Sequence, residues 1–95
     1  MTGPGRAVQV TLKLFASLGQ YLPQELGGHA RAGNQLTLEL AEDATVQAVI
    51  DRFALPRGLV HLVLVNGAYL HPAERAAHRL KEGDALAIWP PIAGG

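Results

Sequence analysis

From Val8 the chain alternates, with Val8, Val10, Leu12 and Leu14 apolar and Gln9, Thr11 and Lys13 polar between them. A period of two predicts a strand over residues 8–14 with one face buried. Phe15 breaks the pattern, because by parity it falls on the polar face with Lys13. A large aromatic there has no core to enter unless another element covers it. Residues 16–35 are weakly periodic and interrupted by Pro23 and by Gly19, Gly27, Gly28 and Gly33. They predict at most a short helix over 18–22 and then a mobile loop. Leu36, Leu38 and Leu40 alternate with Thr37 and Glu39, so a second strand follows and pairs with the first as an irregular hairpin.

Val46, Val49, Ile50 and Phe53 stand at i, i+3, i+4 and i+7, which places them on one stripe of a helix with Thr45 as its N-cap. Pro56 and Gly58 stop that helix. Residues 60–65 are apolar throughout except His61, the pattern of a strand with little solvent on either face. Asn66-Gly67 predicts a two-residue hairpin turn, since both central positions of a type I′ turn need positive φ. Residues 68–70 then return as a short strand, and residues 71–78 make a surface connection with room for one helical turn. The turn at Leu80-Lys81-Glu82-Gly83-Asp84 leads into a last strand over Ala85–Trp89, with Leu86 and Ile88 inward and Ala85, Ala87 and Trp89 outward.

The order is strand, strand, helix, strand, short strand, strand. One helix stripe buried on a mixed sheet, with the first and last strands parallel neighbours, is an α+β fold of the β-grasp, or ubiquitin-like, type. The organisation expected is a loose leader at 1–6, a folded domain at 7–89 and an extended tail at 90–95. In that fold Phe15 and Trp89 share the outward face, with Tyr69 at its edge. Two arrangements satisfy these aromatics: an exposed patch that docks a partner, or a second small core covered by residues 16–35 folding back.

The chain of 95 residues carries 8 Lys+Arg and 8 Asp+Glu, has no cysteine and is 48% apolar. A single core of this size needs no disulfide or metal to stabilise it. Balanced charge removes the basic footprint on which nucleic-acid affinity depends. The absence of thiols excludes thiol catalysis and thiolate metal ligation. No run has the length of a signal peptide or a membrane helix. The expectation is a cytoplasmic protein with neither nucleic acid nor membrane as partner.

The chain closes on Trp89-Pro90-Pro91-Ile92-Ala93-Gly94-Gly95. Two prolines continue neither helix nor sheet, so the tail is expected to leave the domain extended. Six residues at about 3.3 Å each reach roughly 20 Å, enough to thread a narrow channel. A diglycine end, without Cβ atoms, enters where other residues are excluded and leaves its carboxylate open to an activated phosphate. A carboxylate is a poor electrophile, so acyl chemistry at Gly95 requires activation, most directly as a mixed anhydride with AMP.

This ending, with Leu80-Lys81-Glu82-Gly83-Asp84 and Asn66-Gly67 before it, resembles the MoaD/ThiS family of sulfur-carrier proteins. Within that family it resembles the MoaD branch, the small subunits of molybdopterin synthase. The resemblance spans residues 8–95. It implies that Gly95 is adenylated by a MoeB/ThiF-type enzyme and converted to a thiocarboxylate with sulfur from a donor protein. The sulfur then passes to a cofactor precursor on a MoaE-like large subunit, for molybdenum or tungsten cofactor. It further implies that Pro90, Pro91, Ile92, Ala93 and Gly94 form the threading tail, and that Phe15, Tyr69 and Trp89 dock these partners. The chain itself would be substrate and carrier rather than enzyme, binding no cofactor, with ATP and magnesium held by the activating partner. Three alternatives keep the same fold: a ThiS-like or other-pathway sulfur carrier, a ubiquitin-like modifier that forms isopeptide bonds, and a non-covalent docking module.

The remaining polar residues suggest no catalyst. His29, His61, His71 and His78 lack metal-ligand spacing, and the pairs Glu42/Asp43 and Glu82/Asp84 sit at turns where acids face solvent. Gly27-Gly28 precedes no phosphate-loop lysine and reads as loop punctuation.

Overall fold

The computed structural model describes residues 7–91; the leader at 1–6 and Ile92, Ala93, Gly94 and Gly95 lie outside the described residues. Strand β1 (Ala7–Leu14) buries Val10, Leu12 and Leu14 and turns Gln9, Thr11 and Lys13 outward, as its alternation requires. The residues that follow, 16–35, hold more order than their composition suggests. A 3₁₀ helix at Ala16–Tyr21 sends Leu18 into the main core. Strands β2 (Glu25–Leu26) and β3 (His29–Ala30) then form a small hairpin. Its turn is Gly27-Gly28, with φ of 60° and 84°, a pair of positive values that glycine adopts without strain. Arg31 ties the segment together by donating from Nε to the Gly33 carbonyl at 2.7 Å and from Nη1 to the Leu22 carbonyl at 2.8 Å. The expected mobile loop is therefore corrected to a 3₁₀ turn and a hairpin held by one guanidinium.

Strand β4 (Gln35–Ala41) buries Leu36, Leu38 and Leu40 and pairs antiparallel with β1. Helix α1 (Val46–Arg52) begins at Thr45, whose Oγ1 accepts from the Ala48 backbone N–H at 3.1 Å. Its stripe of Val46, Val49 and Ile50 is buried against the sheet. The stop comes earlier than Pro56. Ala54 adopts φ 54°, its N–H reaches the Asp51 carbonyl, and the Leu55 N–H reaches the Ile50 carbonyl. That pair of bonds is the Schellman arrangement, usually built on glycine. Phe53 is thus the half-buried C-cap rather than a helical residue. Replacing Ala54 by glycine relieves the left-handed penalty and is expected to raise stability by about 0.5–1 kcal/mol. Calorimetry should show a midpoint several degrees higher; an unchanged or lower midpoint would contradict this account of the helix end.

After a 3₁₀ turn at Arg57–Leu59, strand β5 (Leu62–Val65) and strand β6 (Ala68–Tyr69) form the hairpin on Asn66-Gly67, with φ of 53° and 83°. A further 3₁₀ turn at Pro72–Glu74 precedes β7 (Ala85–Trp89). The sheet runs β4-β1-β7-β5-β6, and β1 lies parallel to β7 at its centre. One long layer of Leu, Val and Ile from these strands meets α1 on the inner face. The β-grasp expectation holds, including the parallel neighbours.

Candidate functional site

The parallel register Leu14↔Ile88 carries Phe15 to the level of Trp89, and the Phe15 N–H donates to the Ile88 carbonyl at 3.1 Å. The two rings stack with centroids 4.0 Å apart and planes within 6°. Each covers one face of the other, so both are half-buried rather than fully exposed. The exposed patch expected from parity is corrected to a half-buried one. The alternative of a separate core under residues 16–35 fares differently, because Leu18 and Leu22 enter the main core. Tyr69, 52% exposed, meets the ring of His71 edge-on at 5.1 Å instead of joining the stack.

Cross-strand pairing joins these aromatics into one face. Trp89 pairs with Leu62, while Ala87 pairs with both Lys13 and Leu64, and Leu64 pairs with Tyr69. Residues directly opposite share a face, so Trp89, Leu62, Leu64 and Tyr69 line the outer side of β7, β5 and β6, and Phe15, just past the end of β1, joins them by stacking on Trp89. Here the sequence reading needs correction. Residues 60–65 were expected as a strand with little solvent on either face, whereas β5 starts at Leu62 and alternates, with Val63 and Val65 buried and Leu62 and Leu64 half-buried outward. Leu62 and Leu64 are the members of this face that sequence reasoning missed. A continuous apolar run does not distinguish a strand covered on both faces from one with an apolar outer surface.

The same end of the sheet launches the tail. The Trp89 carbonyl accepts from the His61 N–H at 3.0 Å, Pro90 is buried and Pro91 is exposed. The chain therefore leaves the packed body beside the aromatic stack. Of the expected tail, Ile92, Ala93, Gly94 and Gly95 lie outside the described residues.

The opposite end is clamped by side chains. Asn66 donates from Nδ2 to Asp84 Oδ1 at 2.8 Å and accepts at Oδ1 from the Ala85 N–H at 2.8 Å. Asp84 Oδ2 accepts from the Lys81 N–H, and Glu82 Oε1 from the Gln9 N–H. These acids close turns through backbone donors. His29 lies 3.4 Å from Glu39, and among the described residues no three of His, Asp or Glu gather as metal ligands.

Among the described residues, a single α-helix on a mixed sheet with parallel first and last strands defines the ubiquitin-like, or β-grasp, class of fold. Comparison with known proteins narrows the class. The model of the ThiS family matches residues 24–95, more than half of the sequence, and the chain belongs to that family of small ubiquitin-like sulfur carriers. No curated protein matches the sequence. Among solved structures, the Haloferax volcanii HVO 2177 protein is similar at TM-score 0.67 and 24% identity, covering 94% of this chain and 88% of its own. A Pyrococcus furiosus protein assigned as molybdopterin converting factor, subunit 1, is similar at 0.62 and 23%, covering 90% and 99%. SAMP1 from Haloferax volcanii follows at 0.61 and 24%, covering 92% and 99%. At these identities the structures establish the fold. No helix among the described residues is long and apolar enough to cross a membrane.

Proposed function

We propose that the chain carries sulfur as a thiocarboxylate on Gly95 for the synthesis of molybdopterin. The observation that carries the reading is the Phe15–Trp89 stack at the point where the last strand releases the tail. A partner that grips the stack and Leu62 receives the tail at a fixed distance from its own active site. Pro90, Pro91, Ile92, Ala93 and Gly94 then span the channel, and the small final residues let the carboxylate reach its far end.

The chemistry has two steps, both performed on this chain by other proteins. An oxygen of the Gly95 carboxylate attacks the α-phosphorus of ATP on a MoeB/ThiF-type adenylyltransferase, and pyrophosphate leaves. A hydrosulfide equivalent from the sulfur donor then adds to the carbonyl carbon, and AMP leaves with the bonding pair. ATP and its magnesium ion belong to the activating partner, and a MoaE-like subunit presents the precursor that accepts the sulfur. Phe15, Trp89 and Tyr69, joined by Leu62 and Leu64, supply the docking face for both partners in turn.

Reconstitution tests the pathway. The thiocarboxylate form, mixed with a MoaE-like subunit and the molybdopterin precursor, is expected to yield the dithiolene product in proportion to carrier consumed. A thiocarboxylate that forms but sulfurates only a thiazole precursor, or a chain that ends as conjugates on lysines, would overturn the molybdopterin assignment.

A further inference from the structure

On the helix side of the sheet, away from the docking face, lies a cavity of about 500 Å³ lined by Ile50, Leu55, Val60 and Pro72 and by the charged residues Asp51, Arg57 and Arg75. Arg75 is only 9% exposed. Its Nη2 reaches the His61 carbonyl at 3.4 Å, a long contact. Its Nε is the one buried side-chain polar atom without a partner among the described residues. No carboxylate among the described residues is close enough to pair with it. Burying a guanidinium without a counter-charge is costly, so an anion at this site would be favourable.

The lining defines which anion. Arg57 and Arg75 bring two positive charges and Asp51 one negative, leaving an excess of one. Asp51 already accepts from Gln47 Nε2 at 3.0 Å, and its charge disfavours a dianion such as a phosphate monoester. A planar carboxylate matches the guanidinium fork. The apolar wall of Ile50, Leu55, Val60 and Pro72 suits a hydrocarbon body. A volume of this size is that of a small-molecule site, and a lone glutamate side chain from a partner would leave most of it empty.

We infer that the cavity between α1 and the 3₁₀ turns at Arg57–Leu59 and Pro72–Glu74 binds a small organic monocarboxylate, its head on Arg75 and Arg57 and its body against Ile50 and Leu55. The site does not depend on the tail chemistry proposed above. It lies on the other face of the sheet and involves neither Gly95 nor the aromatic stack, so either assignment can fail alone.

The test is titration of the full chain with sodium butyrate, followed by nuclear magnetic resonance of the Arg75 Nε–H and the backbone amides. The expected result is a saturable shift at Arg75, Leu55 and Val60 that neither butyramide, of the same shape without charge, nor sodium chloride reproduces. Arg75→Gln should weaken butyrate about tenfold or more, as loss of a charged hydrogen-bond donor does. Arg57→Gln, an exposed substitution that leaves the core untouched, should weaken it a few-fold. Equal shifts with butyramide or chloride, or butyrate affinity unchanged in Arg57→Gln, would overturn the site even if Arg75→Gln failed to fold. A stronger response to inorganic phosphate than to butyrate would overturn the choice of a monocarboxylate.

Discussion

Deletion of Gly95 is expected to cut formation of the acyl-adenylate at least a hundredfold and to leave the fold unchanged. The buried core cluster runs from Val10 to Ile88, and the chain leaves the packed body after Pro90. Loss of the last residue therefore removes no core contact among the described residues. In a tail threaded extended into a partner's channel, as proposed above, it would draw the terminal carboxylate back by about 3.3–3.6 Å, the length of one extended residue. In-line attack on a phosphate needs the reacting atoms about 3 Å apart, and a misplacement of about 1 Å can lower a rate a hundredfold. The expected loss is at least that, read as ATP–pyrophosphate exchange catalysed by the adenylyltransferase, with the thermal midpoint of the shortened chain equal to the parent's. Exchange within a few-fold of the parent would place the chemistry elsewhere.

Trp89→Ala is expected to weaken the adenylyltransferase complex by about thirtyfold or more, the effect of truncating a central tryptophan at an interface. Trp89 stands between Phe15, on which it stacks, and Leu62, its cross-strand partner. Its removal leaves a gap in the middle of the outer face. Tyr69→Ala, on the edge strand and with its ring against His71 rather than in the stack, should cost much less. The alanine variant also loses the aromatic stack, about 0.5–1.5 kcal/mol of stability, so its amide spectrum must first show a folded domain. Calorimetric titration that finds the Trp89→Ala affinity equal to the parent's would remove the outer face from the docking account.

These two predictions rest on features that differ in how they could be read from sequence. Phe15 and Trp89 followed from parity: Phe15 breaks the polar face of its strand, Trp89 falls on the outward face of its own after Ala85 and Ala87, and a parallel pairing of β1 with β7 places them side by side. The helix stripe, the Thr45 cap and the Asn66-Gly67 turn were equally legible, because each is fixed by residues close in sequence. The role of Gly95 rested on resemblance, since a diglycine end alone has no distinctive local chemistry.

What escaped the sequence has physical reasons too. The order in residues 16–35 comes from Arg31 reaching two carbonyls, a contact that no periodicity announces. The outward exposure of Leu62 and Leu64 depends on which strands flank β5 and on what covers the sheet. Ala54 ends the helix in a conformation usually left to glycine, so its identity gave no warning. Arg75 looks like an ordinary surface cation in a polar connection, and only the packing of the 3₁₀ turns against α1 buries it.

The most direct test of sulfur carriage is the intact mass of the full chain before and after incubation with a MoeB/ThiF-type adenylyltransferase, ATP, magnesium and a sulfur donor. The account predicts the mass increase of one oxygen replaced by sulfur, mapped by fragmentation to Gly95. An unchanged mass, with an enzyme that demonstrably thiocarboxylates another carrier of this family, would contradict it.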